Sequence, residues 1–177
     1  MREIIFRGKT EKGKWVQSGS IIHFNDEGTE KLFYIPKCNE KSVCVHDADD
    51  NILSIEEGTF YKVIPETVGQ YTGLTDKNGT KIFEGDILHF KAYQGGGFAC
   101  PIGTDIYYRV LFGHCNPDMN TLTEYVGFWS LGENYDEDDL YECGNSISYL
   151  VNSHGACVIG NIHDNSELVK ANKKNIL

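Results

Sequence analysis

Three pieces of this chain carry residue types that could do chemistry. Cys38, Cys44 and His46 form a C-x5-C-x-H arrangement, and His114-Cys115 and His154-x2-Cys157 add further soft donors. Zinc takes tetrahedral sets of thiolate and imidazole, usually built on a C-x2-C pair, and none occurs here. The six cysteines read more simply as small buried hydrophobes, and three lie directly beside apolar neighbours, as in Val43-Cys44-Val45, Ala99-Cys100-Pro101 and Ala156-Cys157-Val158. No cofactor is expected. Asp47, Asp49 and Asn51 alternate as in a calcium loop, but the sixth position is Ile52 and the twelfth Gly58, so the sharp turn and the bidentate carboxylate are both missing.

A second set could support acid–base work. Asp76, Glu84, Asp86, His89, Asp105 and His163 are the polar residues nearest expected strand ends. A histidine beside a carboxylate is a general base poised near neutral pH. A small hydrolase or nuclease-like enzyme would rest on Asp86 or His89; the competing reading makes both structural. Gly95-Gly96-Gly97 lacks the Lys-Ser or Lys-Thr that would complete a phosphate loop. A third set could bind. Tyr71, Tyr93, Phe98, Tyr107, Phe128 and Trp129 offer stacking area, and Arg2, Arg7, Lys9, Lys12 and Lys14 make the N-terminal segment basic. The formal charge of −10 disfavours nucleic acid elsewhere and suits solubility or a basic partner.

These residues need a scaffold. At 177 residues the chain is one domain or two small lobes, able to bury a core without metal or disulfide. Glycine is abundant, at 19, and proline scarce, at 4, which suits many tight turns between short strands. Residues 70–90 are the clearest instance. Asp76-Lys77-Asn78-Gly79 is a hairpin signal flanked by apolar runs, and Glu84-Gly85-Asp86 is a second reversal before Ile87-Leu88-His89-Phe90. Gly73, Asn78, Gly79 and Gly85 fit turns, and Asp86 fits an Asx cap. Strands are also expected at Arg2–Arg7, Trp15-Val16, Ile21–Phe24, Leu32–Ile35, Phe60–Ile64, Ile106–Phe112, Glu124–Leu131, Ile147–Val151 and Cys157–Ile162. Ala92–Thr104 reads as a mobile flap, residues 132–145 as a solvated acidic excursion, and Asp164-Asn165-Ser166-Glu167 as a capping box that opens a short C-terminal helix. No apolar run is long enough to span a membrane, and no secretory segment is evident.

Four segments carry a family resemblance. They are Met1–Ile4 with Phe6-Arg7-Gly8-Lys9; Gly13-Lys14-Trp15-Val16; Pro65–Leu74 running through Asp76–Gly79 to Glu84–Ile87; and Val158-Ile159-Gly160-Asn161-Ile162 with Asn165, Glu167 and Leu168. In these the chain resembles the YopX family, small proteins encoded by bacteriophages and prophages. The resemblance implies a phage origin and a mostly β fold, and it assigns no activity to any residue.

The resulting expectation is a mainly β protein, a strongly curved antiparallel sheet or small SH3-like barrel with a short C-terminal helix. It would form a single YopX-like domain, divisible into an N-terminal β lobe 1–66, a barrel lobe 67–170 and a tail 171–177. The expected role is a noncatalytic phage accessory module in the cytoplasm of the bacterial host, binding a host or phage protein or itself. A weak nucleic-acid binder using residues 2–14 and a small enzyme are the alternatives.

Overall fold

The computed structural model describes residues 3–25, 31–37, 44–46, 52–55, 60–94, 101–115, 125–132 and 145–170. They fall into two compact units, Met1–Tyr71 and Thr72–Leu177.

In the first unit, β1 (Phe6–Lys9) and β2 (Trp15–Ser18) form a hairpin, with Phe6 opposite Ser18 and Lys9 opposite Trp15. Gly13, at φ 79°, closes its turn by donating to Thr10 O at 2.8 Å. The start of β8 (Gly69–Thr75) pairs with the other side of β1. A second antiparallel sheet holds β3 (Ile22–Asn25), β4 (Lys31–Pro36) and β7 (Phe60–Val63), and β5 (Cys44–His46) pairs with β6 (Ile52–Ile55). Val16, Ile35 and Val63 make the core. Gly8 lets β1 approach that core, because a Cβ there would lie 2.9 Å from Val63 Cβ. Thr67, in the short 3-10 turn Pro65–Thr67, fastens the chain to β1: its Oγ1 accepts from Lys9 N at 2.9 Å and donates to Ile64 O at 2.6 Å.

In the second unit, β8 runs through the Asp76–Gly79 turn into β9 (Lys81–Phe83), and Glu84-Gly85 leads into β10 (Asp86–Lys91). The main sheet has the order β12-β11-β10-β13, with β11 at Asp105–Cys115, β12 at Tyr125–Gly132 and β13 at Cys157–Asn161. Helix α1 (Ile147–His154) packs Ile147 and Leu150 against Ile82, Leu88, Phe90 and Val110. Full burial of each such side chain stabilises by about 1.5–3 kcal/mol. A short helix α2 (Ser166–Lys170) follows β13.

The structure corrects the expected architecture. Among the described residues it is mixed α/β with antiparallel sheets, and no sheet is closed or strongly curled into an SH3-like barrel. Among the described residues the strand orders β2-β1-β8-β9 and β12-β11-β10-β13 are linear, each with two distinct edge strands. Glycine-rich turns reverse the chain equally well in open hairpins, so they do not specify closure. A helix closes the core, with Ile147 and Leu150 joining Ile82, Leu88, Phe90 and Val110 of the strands.

That helix is the second correction, since Ile147–Val151 reads as a strand from its β-branched and aromatic content. Capping and spacing override propensity. Ser146 Oγ accepts from Tyr149 N at 3.5 Å, Gly155 ends the helix at φ 65°, and the buried Ile147 and Leu150 recur at helical spacing. Near the C-terminus, Asp164 Oδ2 accepts from Asn161 Nδ2 at 3.0 Å, so this oxygen serves the turn leading into α2, which starts at Ser166. The flap residues 95–100 and the acidic residues 133–144 lie outside the described residues.

Gly8 and Gly79 should respond differently to alanine. Gly79 has φ 83° and open space around its Cβ position, so Gly79→Ala costs only backbone strain, about 1–2 kcal/mol. Gly8→Ala drives a methyl into Val63 and should cost about 1–3 kcal/mol, with the shift confined to the first unit. Urea denaturation followed by hydrogen exchange in β1 and β10 checks both: Gly8→Ala should loosen β1 amides and leave β10 amides protected.

Candidate functional site

The polar residues singled out by type separate into three groups. The first is structural. Asp76 is 4% exposed, and its carboxylate collects three backbone amides: Asn78 N at 2.8 Å and Thr80 N at 2.9 Å on Oδ1, and Val158 N at 3.0 Å on Oδ2. Burial pushes its pKa up, but the amides of Thr80, Val158 and Asn78 outweigh that and hold it below the ordinary carboxylate value. Asp86 is buried too, with Oδ2 accepting from Phe83 N at 2.7 Å across the turn. Gly85, at φ 80°, donates to Val110 O and accepts from Ile162 N, both at 2.9 Å. Asp86 therefore works inside a turn, on a strand end where no substrate would reach it. Gly73, at φ 88°, lies within β8.

The second group lies on the face of the main sheet turned away from α1. Cross-strand register sets His89 opposite Tyr107 and Lys91 opposite Asp105. Asp105 Oδ1 takes both His89 Nε2 at 2.7 Å and Lys91 Nζ at 2.8 Å. The Lys91 ammonium, with His89 second, lowers the Asp105 pKa, and Asp105 in turn raises that of Lys91. An ionised carboxylate only accepts, so His89 Nε2 carries the hydrogen and Nδ1 is the basic nitrogen. Asp86 and His89, the two candidate catalytic residues, have separate partners: Asp86 takes Phe83 N, and His89 bonds Asp105.

The third group sits at the end of α1. His154 stacks on Phe90 with centroids 5.0 Å apart, meets Tyr149 edge-on at 4.8 Å and Tyr93 at 5.6 Å. Tyr93 Oη lies 3.0 Å from His154 Nδ1 and donates to Ser153 O at 3.0 Å. Burial lowers the His154 pKa, so the ring is neutral at pH 7. Tyr93 is 43% and Tyr149 51% exposed. Tyr149 and His154 carried no signal as a pair, because they meet Tyr93 only through the fold.

The expected binding residues on the first unit are placed differently. Arg7 lies over the Trp15 ring at 4.9 Å, and Lys14 and Lys37 lie over the Tyr61 ring at 5.3 and 5.2 Å. Lys9 is anchored through its backbone to Thr67. Tyr71 is buried and unavailable for stacking. Arg2 and Cys38 lie outside the described residues; Cys44 and His46 are on β5. Among the described residues no cluster of three or more His, Cys, Asp or Glu side chains could hold a metal ion.

Fold and site together define a small antiparallel-sheet protein in which motif residues such as Thr67, Asp76, Asp86 and Asn161 fasten turns. Residues 5–99, just over half the chain, match the family model described as YopX protein. The chain belongs to the YopX family of bacteriophage and prophage proteins. No curated protein matches it. Among solved structures it is similar to that of protein EF1440 from Enterococcus faecalis, at 20% identity over 94% of this chain and 98% of that one, with a TM-score of 0.43. Among the described residues no helix is long and apolar enough to cross a membrane.

Asp76 makes stability depend on pH with a defined sign. Its folded-state pKa is depressed, so its contribution is full above the unfolded value, about 3.9, and is lost as pH falls through the folded value. Asp76→Asn should cost about 1–3 kcal/mol at pH 7, because an amide cannot accept at both oxygens. The penalty should shrink below pH 4, as measured by urea midpoints across a pH series. A penalty independent of pH would show that charge on Asp76 is irrelevant.

Proposed function

We propose that this protein is an interaction module that holds a basic segment of a host or phage protein on the aromatic cluster around His154, in the cytoplasm of the bacterial host. The observation that carries this reading is the gathering of Phe90, Tyr93 and Tyr149 on one neutral histidine, with two of the rings about half exposed. Tyr and His present an apolar body and a polar tip, the composition that interfaces favour. The overall charge of −10 attracts a cationic partner, and an Arg or Lys side chain over a tyrosine face gains about 0.5–2 kcal/mol. Phe112 on β11, 54% exposed and edge-on to Phe128 at 5.0 Å, is a further exposed ring.

The nucleic-acid alternative draws less support. Base stacking needs open aromatic faces, and the Trp15 and Tyr61 rings are covered by the chain's own Arg7, Lys14 and Lys37.

Calorimetric titration with an arginine-rich decapeptide tests the module directly. The native protein should bind it, and Tyr93→Ala/Tyr149→Ala should weaken binding at least tenfold. Equal binding by the two proteins would reject the site. Tight, steeply salt-dependent binding of an oligonucleotide in place of the peptide would favour the alternative.

A further inference from the structure

The face of the main sheet turned away from α1 carries an arrangement that the interaction reading does not use. Strand pairing sets Cys157 of β13 directly opposite His89 of β10, and His89 is bonded to Asp105 of β11 at 2.7 Å. Directly paired residues share a face, and their Cβ atoms lie about 4.5–5.5 Å apart. The core confirms the facing, since Leu88, Phe90 and Val158 pack with α1 on the opposite side. A thiol, an imidazole and a carboxylate thus stand in a row across three adjacent strands.

We propose that Cys157 is a reactive thiol, deprotonated by His89 that Asp105 orients, and that it exchanges with low-molecular-weight disulfides.

Each member has a defined task. Asp105 is a positioning residue: it fixes hydrogen on Nε2 and leaves Nδ1 as the base. Asn78 Nδ2 donates to Cys157 Sγ at 3.3 Å. The amide comes from the hairpin that the Asp76 carboxylate ties to Val158, one residue along β13. Cys157 Sγ also lies 3.8 Å from Gly155 O. Cys157 is half-buried beside Asn78, which admits a small reagent more readily than a folded partner. Among the described residues the other charged groups on this face are Lys91 on β10 and Arg109 on β11, while Lys77 reaches Gly155 from the hairpin.

The step balances without a further reactant. His89 Nδ1 takes the thiol proton, Sγ attacks one sulfur of the disulfide, and the S–S bond breaks. The departing sulfur keeps the electron pair and takes the proton back from His89. The Cys157 sulfur is oxidised into a mixed disulfide, and the departing sulfur is reduced to a thiol.

Glutathione disulfide is the probe, with peptide-resolved mass spectrometry of all six cysteines in the full chain over a pH series. Cys157 should form the mixed disulfide at least tenfold faster than free cysteine at pH 7. His89→Gln should slow it at least tenfold and move the half-maximal pH upward, and Asp105→Asn should slow it several-fold. A Cys157 rate no greater than that of free cysteine would overturn the proposal. If His89→Gln fails to fold, Asp105→Asn decides alone: an unchanged rate and pH profile would overturn it.

Discussion

The carboxylate of Asp76 is the contact on which the second unit is organised. It is a charge removed from water, and it persists because three backbone amides replace the lost solvent. Two of those amides belong to its own turn and the third lies 82 residues away on β13. One side chain therefore shapes a local reversal and fastens it to a distant strand. Because Val158 N–H is already taken, part of the outer edge of β13 is closed to pairing with another chain. The same fastening brings Asn78 onto the Cys157 sulfur.

Related devices recur along the chain. Thr67 bridges Lys9 N and Ile64 O, and Asn161 Oδ1 accepts from His163 N at 2.9 Å and Asp164 N at 3.0 Å. Asp86 takes Phe83 N. In each case a short side chain satisfies backbone donors where the strand ladder stops. These residues fall in the segments that carry the YopX resemblance, so what those segments encode is turn and junction geometry. The two faces of the main sheet then differ: aromatic rings gather around α1 on one, and His89, Lys91 and Asp105 lie with Ile87, Arg109 and Leu131 on the other. Alternation along β10 divides them: Leu88 and Phe90 face the helix, His89 and Lys91 face away.

What the sequence discloses follows the range of the interaction. The hairpin at Asp76–Gly79 and the reversal at Gly85 depend on a few consecutive residues, so β8, β9 and β10 lie where the turn signals put them. Sheet closure depends on which distant strands pair, and turn residues carry no information about it, so they fit a barrel and open sheets equally. Helix α1 was hidden because Ile147, Tyr149 and Val151 favour strands, although Ser146 and Gly155 mark its two ends. The site residues were legible one at a time and illegible as sets. His89 stood out by type, but its partner is Asp105, reached by strand register, and nothing local joins Tyr93 to His154 or Cys157 to His89.

The claim that Asp76 joins turn and strand into one cooperative element is tested most directly by residue-resolved native-state hydrogen exchange. If the account is right, the amides of Asn78, Thr80 and Val158 open together, with one shared free energy and one shared dependence on denaturant. Separate opening, with Val158 protected while Asn78 and Thr80 exchange freely, would contradict it.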